Sequence, residues 1–563
     1  MNIISQLKEL INTQVVKLSP SQQLPAGIEY KINSDTASAF GDISCNAAMI
    51  LAKQLGQNPR MVATTLQQSL QEADSEGLIT AMAIAGPGFL NISLSPKAWQ
   101  TLWQELYQQQ AAFFVSKPHT PAKFLLEFVS ANPTGPLHLG HGRGGIIGDT
   151  LAKVLTFQGH TVLKEFYIND AGNQVKLLGL SLKARCLQQL GHVATVPEDG
   201  YAGEYLIDLA ADCVAQHGPD VAGKDDMFFQ LYAKEQLLGQ IKATLTTYGI
   251  TFDNWFSEKT LHDNGAIDEV LTLLQEKGLA YELDGALWFK STAFGDDKDR
   301  VIKKSTGELT YIAADIAYHK NKFDRGYTTL IDILGHDHHG YVRRLKATME
   351  ALGYRQDQLD VVLYQLVNIK ENDVAVKMSK RAGTFTKLSD VIEAVGTDVA
   401  RFFYLNRKAD VTLDFDLAAA LKKTDENPVY YIQYAYVRLV SLMQKAAQEG
   451  LGDTVNALRS RTLDAAWFNG HGALLSEHEI ALLKKIVMLQ DVLQTIATSY
   501  QTHLLSYYAL ELAQQLHNYY THNKVLDKEH TKTTAMRLAM VFLVHQTLGL
   551  CLDLLGLTKP EKM

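Results

Sequence analysis

Two short clusters carry the strongest chemistry in this chain. The first is His138-Leu139-Gly140-His141, with a strand pattern before it and a helix pattern after it. A helix start leaves backbone N–H groups unpaired and carries the positive end of the helix dipole, which suits a phosphate. Two imidazoles one turn apart add donors to the same anion. Gly140, Gly142, Gly144 and Gly145 let backbone come close to a ligand. Four residues match often by chance, and the flanking strand and helix are what lift the pattern. The second cluster is Lys377-Met378-Ser379-Lys380-Arg381, followed by Gly383-Thr384. Two lysines there can close over a polyphosphate as mobile point charges. Most charge runs are solvated loops, so this cluster decides nothing alone.

The surrounding elements must bring the clusters together. Phe124–Ser130 reads as an apolar strand, Asn132-Pro133-Thr134-Gly135-Pro136 as a loop, Gly144–Gln158 as a helix ended by Gly159, and Thr161–Ile168 as a strand. Strand, helix, strand at this spacing is a βαβ unit of a parallel sheet. Two more strands, Thr328–Leu334 and Leu359–Asn368, flank a helix pattern at Tyr341–Leu352, and the lysine cluster follows the second. The expectation is an α/β fold, a doubly wound parallel sheet in two halves, with residues about 185–300 inserted between them. Before it, residues 1–115 read as a small α+β domain. Helices Ile4–Val16 and Ala47–Leu55 precede a strand pair around Leu78–Ser93 that turns at Gly86-Pro87-Gly88, and Ser116–Pro121 is a linker. After about 390 everything reads as helix, with long stretches at Pro428–Glu449, Glu477–Asn523 and Lys532–Leu555. Three domains result: 1–115, 116–390 and 391–563.

Composition sets the outer bounds. A chain of 563 residues is too long for one core. Hydrophobic content of 46% with 20% charged residues is ordinary for a globular protein, and no unbroken apolar run of membrane-crossing length is seen. The N-terminus lacks a basic region followed by an apolar stretch, so cytoplasm is expected. Cys45, Cys186, Cys213 and Cys551 lie far apart with no C-x-x-C pair, so neither zinc nor a disulfide framework is expected. A net charge of −8 gives no nucleic-acid footprint, although local patches decide binding and the sum does not.

Taken together, the two clusters on a split α/β scaffold resemble class I aminoacyl-tRNA synthetases. The arginyl branch is indicated by Ser130-Ala131-Asn132-Pro133-Thr134-Gly135-Pro136, Asn169-Asp170-Ala171-Gly172-Asn173-Gln174, Phe252–Glu258 and Tyr311…Asp315-Ile316-Ala317-Tyr318-His319. Asn427–Ala435, the Leu554–Gly556 and Pro560–Met563 ending, Phe40-Gly41-Asp42…Asn46 and Asn58-Pro59-Arg60 extend the likeness from end to end. Two positions depart. His336 stands in Gly335-His336-Asp337-His338-His339-Gly340 where the family has alanine, and Tyr436 stands where it has histidine.

The resemblance implies a Rossmann-type catalytic domain, an N-terminal domain that touches tRNA and an all-α C-terminal anticodon-binding domain. The reaction would be activation of L-arginine by ATP and transfer to tRNA(Arg), with Mg²⁺ as helper. It places His138, Gly140, His141, Gly142, Lys377, Met378, Ser379 and Lys380 on ATP, with the two histidines and two lysines catalytic. Ser130, Asn132, Gln174, Tyr311, Asp315 and His336 would hold arginine. Tyr311 and Asp315 are four apart, so on a helix they share a face and can jointly hold a guanidinium. In the helical domain Tyr430, Tyr434, Tyr436 and Arg438 would stack on tRNA bases. A monomer is expected. Rival readings are another class I synthetase, a small nucleotidyltransferase and an inactive tRNA-binding paralogue. The helical domain has no purpose in the second, and the intact histidines and lysines count against the third.

Overall fold

The computed structural model describes residues 2–33, 40–116, 120–371, 374–375 and 387–563. Part of the expected linker and all of Lys377, Met378, Ser379, Lys380 and Arg381 lie outside the described residues.

The N-terminal part packs helices Ile3–Leu18, Ala47–Leu55 and Pro59–Ala73 on an antiparallel four-stranded sheet. Asn2 and Asn58 start the first and third helices by accepting a backbone N–H each. The expected hairpin is present as Ile79–Ala85 and Phe89–Leu94.

Five parallel strands form the central sheet, in the spatial order Leu359–Tyr364, Thr329–Gly335, Lys123–Phe128, Thr161–Ile168, Asn254–Ser257. The chain direction of winding reverses between Lys123–Phe128 and Thr329–Gly335, and that switch point is where such sheets open a crevice. Helix Leu139–Phe157 crosses between the first two strands in sequence. A Cβ on Gly148 would come within 2.4 Å of Phe128, so glycine lets this helix lie close against the sheet.

Four expectations needed revision. Asn254–Ser257, inside the stretch read as an insertion, is the sheet's edge strand. It divides the insertion into a helical part (Asn173–Gln189, Glu204–His217, Asp226–Thr247) and a part with a three-stranded sheet of its own. Leu359–Asn368 is two elements, because Val367–Glu371 leaves the parallel sheet and pairs with Leu413–Asp416. That last strand also interrupts the stretch read as all helix. Glu477–Asn523 breaks into Glu477–Ser499 and His503–His522 at Tyr500, which adopts φ +59° and donates its hydroxyl to Asp360 at 2.8 Å.

The final helix, Thr531–Leu555, is long and apolar enough to cross a membrane by length and composition, yet most of it is buried inside the protein. A helix hydrophobic all round is what a bundle core requires.

One buried arginine joins the parts. Arg401 has no exposed surface. It donates to Asp149 of the Leu139–Phe157 helix at 2.7 Å, to the Tyr248 carbonyl at 2.7 Å and to the Leu555 carbonyl at 2.9 Å. Removing one partner of a buried ion pair strands the other charge. Arg401→Met should therefore destabilise the protein by roughly 3 kcal/mol, even with Lys153 still 2.9 Å from Asp149. A denaturation midpoint that shifts by less than about 0.5 kcal/mol equivalent would remove this bond from the account.

Candidate active site

A cleft of about 600 Å³ opens at the sheet's switch point. Seven of the singled-out residues line it: Ser130, Asn132, His138, His141, Gln174, Tyr311 and Asp315. The chain enters it in an unusual conformation. Val129 (φ +68°) and Ser130 (φ +39°) are both left-handed without being glycine, the sort of strain that collects at functional sites. The bend is held by the Ser130 N–H donating to the Phe128 carbonyl (2.9 Å) and by Ser130 Oγ accepting the Tyr167 N–H (3.1 Å). Asn132 Nδ2 donates to Gln174 Oε1 at 2.8 Å, tying the loop to the next helix.

At one end of the cleft stand the histidines. His138 caps the helix, its Nδ1 accepting the Gly140 N–H at 3.1 Å, and His141 Nδ1 accepts the His138 N–H at 3.2 Å. The rings stack with centroids 3.6 Å apart. Burial lowers His138, opposed by the charge of Asp337. Burial, aided by His138, pushes His141 down to about 3. Both rings are therefore neutral at pH 7. With Nδ1 accepting, the proton of each sits on Nε2, which becomes an uncharged donor.

Acids gather at the other end. The side chain of Asp315 makes no hydrogen bond or ion pair among the described residues, although its carbonyl meets His319 Nδ1 at 2.8 Å. Burial raises its carboxyl to about 7. Glu127 and Glu258 push it the same way, against His319 and Lys322. Tyr311 stands one turn before it, 74% exposed and free to swing over a ligand. Beneath them Lys322, with no exposed surface, donates to Glu127 (2.6 Å) and Asp332 (2.9 Å). Asp332 also meets His319 Nε2 at 2.8 Å. Glu127, His319 and Asp332 are spaced as metal ligands would be, but the ammonium of Lys322 already occupies the two carboxylates.

The structure corrects some expectations. His336 is exposed, does not line the cleft and lies against His339 (ring centroids 5.7 Å). Residues 336–338 form one tight turn, and it presents Asp337 and His338 to the cleft instead. At Gly142 and Gly144 the missing side chain makes room for protein. A Cβ would come within 2.4 Å of Leu388 and 2.7 Å of Tyr364, respectively. No sequence motif singles out Glu127 and Asp332, which line the cleft, or Lys322, which pairs with both. A single acid inside an apolar strand was the available signal for the first two.

Family comparisons agree along the whole chain. Residues 104–414 match the profile "tRNA synthetases class I (R), catalytic domain", residues 5–94 "Arginyl tRNA synthetase N terminal domain" and residues 432–563 "DALR anticodon binding domain". An arginine–tRNA ligase of Nitratidesulfovibrio vulgaris is 43% identical over 537 residues, covering 94% of this chain and 95% of that protein. The chain belongs to the class I arginyl-tRNA synthetases. Another relative so named, from Oleidesulfovibrio alaskensis, is 41% identical over 99% of this chain and all of its own length. The Thermus thermophilus arginyl-tRNA synthetase structure, 20% identical, shares the fold with a TM-score of 0.76 over 99% of this chain and all of its own.

In this synthetase, helix Pro428–Ala446 opens the stretch matched to the anticodon-binding profile. Tyr430, Tyr434 and Arg438 recur every fourth residue and share one stripe. Tyr430 and Tyr434 line a cavity of about 770 Å³ with His517 and Met563, Tyr434 half exposed and its ring stacked with His517. Arg438 lies over Tyr520 at 4.2 Å. Tyr436 is two residues off the stripe, about 200° around the helix. It stacks instead on His545, with centroids 4.4 Å apart.

The raised Asp315 carboxyl has a measurable sign. Free carboxyls of this kind ionise near 4. Between about 4 and 7 the folded protein therefore holds a proton that the unfolded chain has lost, so this group's contribution to stability falls as pH rises through that window. Asp315→Asn should gain stability relative to wild type as pH goes from 5 to 7, read from paired denaturation curves. A difference that stays constant with pH would show that Asp315 is not held protonated.

Proposed function

We infer that this synthetase joins L-arginine to tRNA(Arg) through an arginyl-adenylate, and that the cleft at the switch point does the chemistry. The observation that carries the reading is its division into two ends. Neutral N–H donors stand at a helix start, and an unpartnered carboxylate stands beside buried acids.

In the first step the arginine carboxylate attacks the α-phosphorus of ATP and pyrophosphate leaves. The nucleophile is already ionised, so no protein base is required. What the site supplies is alignment and stabilisation of charge on the phosphate oxygens. His138 and His141 donate from Nε2, and Lys377 and Lys380 serve the β- and γ-phosphates. Mg²⁺ would help to offset the phosphate charge, and exposed Asp337 at that end would be the protein carboxylate to hold it.

Asp315 and Tyr311 take the guanidinium. Ser130, whose Oγ accepts from Tyr167 and keeps its own proton to donate, takes the α-carboxylate with Asn132 and Gln174. In the second step the 2′-hydroxyl of the terminal ribose attacks the arginyl carbonyl and gives up its proton, the acyl–phosphate bond breaks and AMP leaves. Tyr430, Tyr434 and Arg438 offer bases a stacking surface, while Tyr436 belongs to the packing. The family resemblance is the support for taking the enzyme as a cytoplasmic monomer.

ATP–pyrophosphate exchange with each of the twenty amino acids, with and without tRNA, tests the reading. Arginine alone should support exchange, and only when tRNA is present, because tRNA completes the site. Exchange with another amino acid would refute the substrate, and vigorous exchange without tRNA would refute the coupling. His141→Ala should lower the adenylation rate by ~10²–10³ while arginine affinity changes little. A variant within a few-fold of wild type would sink that role.

A further inference from the structure

Buried or half-buried arginines in this protein are nearly all committed to protein acceptors. Arg143 donates its terminal nitrogens to the Gln365 and Lys408 carbonyls, Arg325 grips Glu165 with two hydrogen bonds, and Arg401 is saturated. Arg344 is different. It lines the catalytic cleft, yet its side chain makes no hydrogen bond or ion pair among the described residues. Its Nε is buried without a partner. The guanidinium lies 5.3 Å from the Tyr341 ring centroid, a weak contact that leaves the donor edge open. Two carboxylates of the same cleft, Asp315 and Asp337, are within the same walls, and Arg344 pairs with neither.

A half-buried guanidinium left without an acceptor is costly, because it has lost water and gained nothing in return. The cost is recovered when an anion arrives. Arg344 sits on helix His339–Leu352, which follows strand Thr329–Gly335, so it faces the cleft from the opposite side of the switch point to His138. An anion that starts on the His138 helix and extends across the cleft reaches that side. Planar, forked and permanently charged, arginine suits phosphate oxygens better than lysine does.

We propose that Arg344 is a phosphate-binding residue of the cleft, closing on a substrate phosphate from the side away from the two histidines. This rests on the reading of the cleft as the adenylation site. The phosphate has two sources in the reaction, the triphosphate of ATP and the 3′-terminal phosphodiester of tRNA.

Steady-state aminoacylation by Arg344→Gln, with ATP, arginine and tRNA varied in turn, separates them. The KM for ATP or the KM for tRNA should rise about tenfold to a hundredfold, the size of one charge-assisted hydrogen bond. Arg344→Lys should recover part of the loss, and the melting temperature should stay at the wild-type value. A rise confined to ATP assigns the triphosphate, and one confined to tRNA assigns the acceptor end. A rise in the arginine KM alone would assign Arg344 to the substrate carboxylate and overturn the proposal. So would unchanged constants for all three substrates, or a loss of activity explained by a lower melting temperature. If wild type itself fails to charge arginine, the reading of the cleft fails and not the proposal on Arg344.

Discussion

The ammonium of Lys322 is the constraint on which the cleft is built. It has no exposed surface and bridges Glu127 on one strand to Asp332 on the neighbouring one, at 2.6 and 2.9 Å. Those strands flank the switch point, and Lys322 comes from the same helix as Asp315. One charge therefore sets the spacing of the two halves of the sheet and the depth at which the Asp315 helix lies. Such a network contributes little net stability, since desolvation offsets most of the attraction. What it contributes is geometry, because Lys322 meets both acids only where these two strands lie side by side.

The two ends of the cleft then follow from opposite electrostatic choices. Around Asp315 burial, reinforced by Glu127 and Glu258, raises a carboxyl that has no partner of its own. Around His138 and His141 charge is kept out, because burial lowers both imidazoles and the neighbouring His138 lowers His141 further. The acidic end is unfavourable when empty and is relieved by a cation. The histidine end offers fixed dipoles that need no rearrangement as charge builds on phosphate. A substrate with a guanidinium at one end and a reacting carboxylate at the other fits that gradient in one direction only.

Much of this was legible in the residues. Histidines at helix start, the βαβ unit and the i, i+4 pair of Tyr311 and Asp315 are local patterns, and each forms where the spacing places it. Edge strand Asn254–Ser257 was not legible, because four residues carry no periodicity and only pairing with Thr161–Ile168 makes them a strand. Val367–Glu371 was merged with the strand before it, since leaving the parallel sheet depends on a partner over forty residues later, Leu413–Asp416. Lys322 was invisible for a related reason: a lysine in a helix normally reads as solvated, and only the fold brings two strand acids to it. The placement of His336 and Tyr436 was not legible either, because side-chain direction is set by the fold. One sits on a turn that points its neighbours inward, the other two residues off the exposed stripe.

On the proposed reading, Asp315 stands unpaired because the guanidinium of the substrate is its partner. Asp315→Asn keeps the shape and removes the charge. A hydrogen bond between charged groups contributes ~1.5–3 kcal/mol, so kcat/KM for arginine should fall by roughly tenfold to a hundredfold or more. Citrulline, neutral and of nearly the same shape, should lose far less, so the preference for arginine over citrulline should shrink. The measurement is kcat/KM for both amino acids with wild type and Asp315→Asn. Equal losses for arginine and citrulline would contradict the account and make Asp315 a structural residue of its helix.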